Sequence, residues 1–232
     1  MSEDVTEYRQ HRFHPPPGAC EVLLVRHGES APARPGQPFE LVDGQGDPPL
    51  SELGRWQAER LGDRLVDEEI HAVYVTTLRR TSETAQPFLD RSPHLSPVVE
   101  PDLREVHLGE WEGGLFRQKI AEGDPVAVQL LAEERWDVIP GAEPNDVFAG
   151  RVRGALARLA ARHPDQRIVA VSHGGVIGMA LHLATGSRPF ALAGADNASI
   201  HHLVIIGDQW ILRRFNDTNH LGGFTASAAP PT

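Results

Sequence analysis

Cysteine is almost absent from the 232-residue sequence, in which Cys20 is the only one. A single cysteine cannot close a disulfide within the chain, and no C-x-x-C pair or His/Cys cluster is available to bind zinc. A disulfide scaffold and a zinc–thiolate site are therefore excluded, and the composition fits a reducing cytosol.

Long apolar runs are absent as well. No stretch approaches the about 18 consecutive apolar residues that span a membrane, and the N-terminus is polar and acidic. A secretory signal needs a basic start followed by an apolar segment. We therefore expect a cytoplasmic protein without a membrane partner.

Positive charge is scarce. Lysine and arginine together number 22 against 32 aspartate and glutamate residues, the net charge is −10, and Lys119 is the only lysine. Nucleic acids are bound mainly by many cationic side chains that neutralise phosphates, so no nucleic-acid partner is expected. The lysine shortage is typical of codon bias, and each arginine must be judged by its position.

What the chain does contain is a globular composition with alternating strand and helix patterns. Its hydrophobic fraction of 40% is enough to bury a core. Short apolar strands are predicted at 21–26, 72–75 and 167–172, with helical spacing of apolar residues between and after them. This alternation predicts one large α/β domain.

The helices are predicted from that spacing. One should be capped by Ser51 and run to Asp67, and another should run from about Val176 to a stop at Gly186. A third, after the second strand, should be kinked or shortened by Pro87. The residues expected on buried helix faces are Leu53, Trp56, Leu61 and Leu65; Leu78, Thr81, Ala85 and Phe88; and Phe148, Val152, Ala155 and Leu159.

Two segments interrupt the pattern. The Pro/Gly-rich loop at 31–49 is long enough to act as a lid, and a helical insert at 112–140 could wall a pocket. We expect both segments to set substrate choice.

The two ends of the chain differ from the rest. Strands at 199–206 and 209–215 flank Gly207-Asp208, which predicts an antiparallel hairpin at the sheet edge. Tails at 1–19 and 222–232 are expected to be flexible, which leaves 20–221 as the folded domain.

Two histidines directly follow predicted strands. His27 comes after the first strand, and His173 comes after the buried strand at 167–172. Carboxyl ends of parallel strands form the ligand-binding edge of an open sheet, so we expect these histidines to meet there. The amides of Gly174 and Gly175, at a helix N-terminus, would suit a phosphate.

Five ordered segments carry a family resemblance. They are Arg26-His27-Gly28-Glu29-Ser30, Leu50 to Ala58, Thr76 to Ala85, Leu103-Arg104-Glu105 with Gly109 to Gly113, and Val171 to Gly175. Together they resemble the histidine phosphatase superfamily in its phosphoglycerate mutase-like branch, over roughly residues 21–221. The resemblance implies a three-layer α/β/α sandwich with a mostly parallel central sheet and an antiparallel edge hairpin.

The resemblance also implies roles for individual residues. His27 would attack phosphorus to form a phosphohistidine, and a neutral imidazole is available at physiological pH. Arg26, Arg80 and His173 would hold the non-bridging oxygens, with Ser30 and Gly174 also binding substrate. Arg80 is assigned rather than its neighbour Arg79 because it stands four residues before Thr84, as the family pattern requires.

Glu105 matches the proton donor of that family. It would protonate the leaving alkoxide and then take a proton from the attacking water. To act as an acid at neutral pH it must hold a proton, and a dianionic phosphate nearby would favour that form. No metal or other cofactor is implied, because guanidinium groups, His173 and backbone amides are a sufficient cage for phosphoryl transfer.

The sequence departs from the family in two places. The mutase branch carries a phosphate-contacting asparagine where this chain has Ala33. Either Ser30 or a backbone group replaces that contact with the phosphate, or the phosphate is held more loosely. Pro144 replaces a serine before a helix, so Asn145 or Asp146 is expected to cap that helix.

We therefore expect a phosphomonoesterase that acts on a small phosphorylated metabolite. The alternatives are a phosphoglycerate mutase, which the loss at Ala33 disfavours, and a catalytically inactive phosphate-binding module. The physiological phosphoester and the oligomeric state stay open.

Other polar and aromatic residues have weaker assignments. His107 is a candidate for the pocket mouth, whereas the histidine pairs His11/His14 and His201/His202 make no convincing metal site. The candidate pocket-wall residues are Trp111, Phe116, Arg117 and Trp136.

Overall fold

A mixed six-stranded sheet organises the computed structural model, which describes residues 8–222. The strands, in chain order, are β1 (Cys20–Arg26), β2 (Leu41–Val42), β3 (Gln45–Gly46), β4 (Ala72–Val75), β5 (Pro97–Val99), β6 (Arg167–Ser172), β7 (Ile200–Ile206) and β8 (Gln209–Asp217). The large sheet has the order β5-β4-β6-β1-β7-β8, while β2 and β3 form a small hairpin of their own.

The direction of the strands agrees with the predicted fold class. Strands β5, β4, β6 and β1 are parallel, β7 is antiparallel to β1, and β8 is antiparallel to β7. The hairpin predicted around Gly207-Asp208 therefore forms the expected antiparallel edge. The exposed strand β5 was not predicted, because three residues are too few to show a period.

Residues 8–222 contain six α-helices. They are α1 (Glu52–Leu65), α2 (Arg79–Arg91), α3 (Leu115–Glu122), α4 (Pro125–Glu133), α5 (Asn145–Arg162) and α6 (Gly174–Thr185). Within residues 8–222, no helix is long and apolar enough to cross a lipid bilayer.

Alternating side chains of the central strands fill two cores, one on each face of the sheet. In β1, Val22 and Leu24 pack with α5 and α6, whereas Leu23 and Val25 pack with α1 and α2. Strand β6 alternates in the same way. These two cores make the domain a three-layer α/β/α sandwich, as predicted.

The face that α1 buries differs from the prediction. Ser51 caps the helix as expected, but Leu53 and Trp56 are 48% and 46% exposed. The buried face instead contains Gly54 and Ala58 together with the expected Leu61 and Leu65. Small residues line the first half of this face because the helix start lies directly against the loop after β1.

Helix α2 also differs from the prediction, in its length. Its predicted buried residues are buried, but the expectation that Pro87 shortens the helix is wrong, because the helix runs on to Arg91. Phe88 and Leu89, which follow the proline, are buried in the core. Their burial offsets the backbone hydrogen bond that Pro87 cannot make.

The insert at 112–140 is helical, as predicted, and has a small core of its own. It contains α3 and α4, and around them Trp111, Ala127, Leu130 and Ile139 are buried together. The following helix α5 buries all four predicted residues. Neither Asn145 nor Asp146 caps α5, because Pro144 takes the cap position and the Asn145 side chain accepts from the Trp136 amide instead.

The N-terminal segment touches the domain where it is described. The Arg213 guanidinium stacks 3.8 Å from the centre of the Phe13 ring, and the Gly18 amide donates to Asp165. The flexible tails expected at the two ends fall partly on residues 1–7 and 223–232, which lie outside the described residues.

Candidate active site

The two histidines that follow strands lie side by side. Strands β1 and β6 are hydrogen-bonded neighbours, with Arg26 level with Ser172, so the next residues, His27 and His173, leave the sheet at the same point. Their ring centres are 5.2 Å apart. Residues distant in sequence thus share one buried site at the carboxyl edge of the sheet.

Hydrogen bonding fixes which ring nitrogen of His27 is free. Its Nδ1 lies 2.7 Å from the Gly28 carbonyl oxygen. A carbonyl can only accept, so Nδ1 carries the hydrogen and Nε2 keeps its lone pair. Arg80 Nε donates toward that Nε2 across 3.3 Å. His27 therefore presents a nucleophilic nitrogen beside a guanidinium group.

The surroundings of both histidines favour the neutral ring. Burial, and then the charges of Arg80 and Arg26, hold the pKa of His27 well below 6.5. Burial and the Arg80 charge do the same to the pKa of His173. At physiological pH the lone pair on His27 is consequently available without removal of a proton.

Arg26 and Arg80 are both buried against this site. Arg26 donates to the Ala195 carbonyl, and Arg80 donates to the Gly46 carbonyl at 3.0 Å. Burial lowers the pKa of Arg80 to about 10, so the group remains charged at neutral pH. Two desolvated guanidinium groups beside a nucleophile form a strong site for a phosphate dianion.

The choice between Arg79 and Arg80 can be examined directly. The Arg80 side chain is 9% exposed and reaches His27, whereas that of Arg79 is 47% exposed. Arg79 is more than a solvated neighbour, since its Nε and backbone amide both bond Asp47. It ties the loop at 31–49 to the start of α2.

His173 is fully buried and is anchored from one side. Its Nε2 lies 3.0 Å from the Thr76 hydroxyl, at the end of β4. Its Nδ1 is buried without a hydrogen-bond partner among residues 8–222. A phosphate oxygen would suit this nitrogen, because a buried polar atom without a partner is costly.

Glu105 lies at the N-terminus of α6. Its carboxylate accepts from the Val106 amide at 3.0 Å and from the Gly175 amide at 3.2 Å. A Cβ on Gly175 would lie only 2.5 Å from Glu105 Oε1, so the absence of a side chain at 175 lets the carboxyl group lie against the start of α6. The structure brings Glu105 to the same site as the histidines, although the Gly175 amide is engaged by the carboxylate.

A third guanidinium group, that of Arg117, reaches the site from α3. Its Nη2 donates to the Ser30 hydroxyl at 2.6 Å, and its Nη1 donates to the Ala31 carbonyl at 2.9 Å. Its charge contributes to the lowered pKa of both His27 and Arg26. Within residues 8–222 no carboxylate lies at ion-pair distance from Arg117. The sequence predicted only a wall residue here, because nothing in a linear pattern shows that α3 points its arginine inward.

The loop at 31–49 is joined to the site by hydrogen bonds. Gln45 donates to the Glu105 carbonyl at 2.7 Å, and the carboxylate of Glu112 accepts from the amides of Gly46 and Leu108. Ala33, which stands where the mutase branch has asparagine, faces the insert. A Cβ added to Gly114 would lie 3.0 Å from the Ala33 Cβ. The loop and the insert therefore touch at the site.

The remaining candidates are less central. Trp111, Phe116 and Trp136 stack in series with Phe190, as a wall between the insert and the 187–198 segment. His107 faces the β2–β3 hairpin, where a Cβ added to Gly44 would lie 3.3 Å from the His107 ring. In the described range, no group of three or more His, Cys, Asp or Glu is arranged to hold a metal ion.

The arrangement defines an α/β protein whose sheet edge carries two neighbouring histidines, a group of arginines and a carboxylate. Residues 22–218 match the histidine phosphatase superfamily, branch 1. The chain belongs to this superfamily.

Individual relatives agree with that assignment. A phosphoglycerate mutase-like protein 4 of Arabidopsis thaliana is 35% identical, with 87% of each chain covered. A metal-independent phosphoserine phosphatase of the same plant is 33% identical, with 90% of each covered. Among solved structures, a mycobacterial glucosyl-3-phosphoglycerate phosphatase gives a TM-score of 0.71 at 30% identity, over 86% of this chain and all of the other. Relatives of this chain thus include phosphatases and mutase-like proteins.

Proposed function

We propose that the protein is a phosphomonoesterase that hydrolyses a small phosphorylated metabolite through a phosphohistidine on His27, without a metal. The observation that carries the proposal is the unprotonated Nε2 of His27, which faces the Arg80 guanidinium in a buried site. A site that only bound phosphate would need neither an oriented nucleophile nor a carboxyl group beside it.

The reaction has two steps. His27 Nε2 attacks phosphorus, the ester P–O bond breaks, and the leaving oxygen takes a proton from Glu105. Water then attacks the phosphohistidine, Glu105 takes a proton from that water, and the P–N bond breaks to release phosphate. Arg26, Arg80 and His173 would stabilise the charge on the non-bridging oxygens throughout.

The structure supports a role for Glu105 in both steps. Its carboxyl group lies at the N-terminus of α6, where it accepts from the Val106 and Gly175 amides. An incoming phosphate would compete for the Gly175 amide, which would free the carboxyl group to face the leaving oxygen. The same carboxyl group then becomes the base once the leaving group has departed.

Arg117 indicates the kind of phosphoester. Its half-buried guanidinium has no carboxylate at ion-pair distance among the described residues, with Glu29 as a more distant negative charge, so it is available beside the phosphate-binding arginines. We infer that the substrate carries a second anionic group near its phosphate, as phosphoserine and glucosyl-3-phosphoglycerate do. The phosphatases similar to this chain are named for those two compounds.

The experiment is a substrate panel with three variants. Purified protein is incubated with phosphoserine, 3-phosphoglycerate, glucosyl-3-phosphoglycerate and neutral sugar phosphates, while inorganic phosphate and 2-phosphoglycerate are both followed. We expect phosphate release, abolished by His27→Ala and unaffected by EDTA. Glu105→Gln should slow alkyl phosphates by about 10²- to 10⁴-fold and p-nitrophenyl phosphate far less. Arg117→Met should weaken the preference for acidic substrates.

Each alternative gives a different result. 2-Phosphoglycerate with little phosphate would identify a mutase. Full activity of His27→Ala would exclude that residue as nucleophile, and loss of activity in EDTA would reveal a metal. If no substrate reacts and the protein still binds inorganic phosphate, the chain is a phosphate-binding module.

A further inference from the structure

Every N–H donor of the Arg151 side chain makes a hydrogen bond, either to a backbone carbonyl of the loop at 102–105 or to the carboxylate of Glu143. Arg151 lies on α5, and its Nη1 donates to the carbonyls of Asp102 and Arg104 at 2.7 and 2.6 Å. Its Nη2 donates to the Glu105 carbonyl at 2.9 Å and to Glu143, and its Nε also donates to Glu143. A guanidinium group has five such donors, and all five are engaged.

Glu143 completes this arrangement from the other side. Its carboxylate holds Arg151 through two hydrogen bonds of 2.7 and 2.8 Å, in the bidentate geometry that orients a guanidinium plane. Its backbone amide donates to the His107 carbonyl, and its Oε2 accepts from the His107 amide at 3.3 Å. Glu143 and Arg151 therefore hydrogen-bond to the backbone on both sides of Glu105.

The same hydrogen bonds include the backbone of Glu105, the residue proposed to carry the proton. The Glu105 carbonyl accepts from Arg151 on one side and from Gln45 of the lid on the other. The carboxyl group of the same residue meets the N-terminus of α6. Segment 102–107 contains no strand and only a single 3₁₀ turn, at Pro101–Leu103, so regular secondary structure does not fix Glu105.

We propose that Arg151, oriented by Glu143, is a positioning residue for the Glu105 general acid. This inference rests on the proposed function. Catalytic groups must be held close to their productive geometry, because a shift of about 1 Å can cost about 100-fold in rate. Arg151 touches no substrate in this scheme and acts only by fixing the backbone that carries Glu105.

A positioning role predicts a specific kinetic signature. Only a leaving group of high pKa needs the acid, so a misplaced Glu105 slows alkyl phosphates and largely spares p-nitrophenyl phosphate. We expect Arg151→Met to lower kcat/KM for β-glycerophosphate about 10- to 100-fold and that for p-nitrophenyl phosphate by less than about threefold. Arg151→Lys, which keeps the charge but not the five-donor fork, should fall between wild type and Arg151→Met.

Arg158 offers a matched control on the same helix. Its Nη2 bonds Glu100 and Asp102, at the start of the same loop, but its side chain is 45% exposed against 18% for Arg151 and it contacts no backbone carbonyl near Glu105. Arg158→Met removes an equal charge from α5. It should leave the ratio of the two rates unchanged.

Two further variants separate positioning from general structural support. If Arg151→Met does not fold, as judged by circular dichroism and thermal melting, Glu143→Gln removes the orienting charge at nearly constant shape and should shift the rate ratio in the same direction. In a Glu105→Gln background, adding Arg151→Met should change the ratio no further, because the group it positions is already disabled.

The outcomes distinguish this proposal from the proposed function. Equal slowing of both substrates by Arg151→Met, or an additive effect on Glu105→Gln, would overturn the positioning role while leaving the phosphatase intact. Full activity of His27→Ala, or equal slowing of both substrates by Glu105→Gln, would instead remove the proposed chemistry, and the positioning role with it.

Discussion

At the scale of single residues, the site depends on small distances around Glu105. The α6 backbone comes so close to this carboxyl group that a methyl group at position 175 would lie 2.5 Å from Oε1 and 3.4 Å from a methyl of Val106. The first atom is the free end of a flexible side chain, which can turn away at little cost. The residue that moves is then the proposed acid.

We predict that Gly175→Ala lowers activity without lowering stability. Alanine is favoured over glycine within a helix by about 1 kcal/mol, which offsets the cost of turning Glu105 aside. Activity should fall most for alkyl phosphates, as with Glu105→Gln. Rates on β-glycerophosphate and p-nitrophenyl phosphate, measured with the melting temperature, check this.

Gly178→Ala is the control on the same helix. A Cβ there would make ordinary contacts with Ala193, the nearest at 3.5 Å. Both rates should stay at the wild-type value. An unchanged rate on β-glycerophosphate in Gly175→Ala would contradict the placement of Glu105.

The residues of the site differ in how far a sequence can predict them. His27 and His173 were predicted because glycine follows each histidine directly after an apolar strand, whereas Arg26 and Arg80 were expected only from the family resemblance. Arg151 and Gln45 were not predicted, since they bond backbone carbonyls that are distant in sequence. A backbone acceptor leaves no mark on residue type, so no pattern in the chain identifies its donor.

At the scale of secondary-structure elements, the start of α1 is packed directly on the nucleophile loop. A Cβ on Gly54 would lie 1.9 Å from the Glu29 carbonyl oxygen, and a Cβ on Gly28 would lie 2.6 Å from the Gly54 carbonyl oxygen. Ser51 joins the same contact, since its hydroxyl donates to Glu29 and accepts from the Gly54 amide. Helix and loop can approach only because both carry glycine.

We predict that Gly54→Ala destabilises the fold and displaces His27. The clash is with backbone on both sides, so no side chain can turn away, and such overpacking costs about 1 to 3 kcal/mol or more. Chemical denaturation should show the loss, together with a drop in activity on every substrate alike.

The matched substitution is Gly150→Ala in α5. No atom lies within 4 Å of a Cβ there, so helix propensity alone acts and stability should rise by about 0.5 to 1 kcal/mol. Wild-type stability in Gly54→Ala would mean that the two backbones are further apart than the structure has them.

The buried face of a helix could be predicted from the sequence where the residues of that helix alone determine it. The buried faces of α2 and α5 follow from spacing alone. The strand order, with β6 between β4 and β1, depends on pairing between distant segments and was not predicted. The prediction that Leu53 and Trp56 lie on the buried face of α1 was wrong, because the loop after β1 leaves room only for small residues on that face.

At the scale of the whole molecule, the fold keeps several histidines neutral. Besides His27 and His173, burial and the charge of Arg26 lower the pKa of His201 to about 3. His201 has a structural reason to stay neutral, because its Nδ1 accepts from the Asn216 amide. Its Nε2 therefore carries the hydrogen and lies 2.9 Å from the Ser199 hydroxyl.

We predict that stability falls as pH drops below about 6.5, the pKa of histidine in an unfolded chain. The folded rings stay neutral there, whereas the unfolded rings take up protons, so unfolding binds protons and becomes easier in acid. Each such histidine contributes a slope of up to about 1.4 kcal/mol per pH unit. Three of them give up to about 4 kcal/mol per unit, most clearly between pH 5 and 6, above the range in which carboxylates titrate.

Urea denaturation at a series of pH values measures this slope. His201→Gln should reduce it by about one histidine's share, whatever the variant does to stability at pH 8. The exposed His94 supplies the control variant His94→Gln, which replaces a histidine at the surface instead of in the core. A flat profile between pH 5 and 7 would mean that the buried rings accept protons in the folded state, and the neutral nucleophile proposed for His27 would then fail as well.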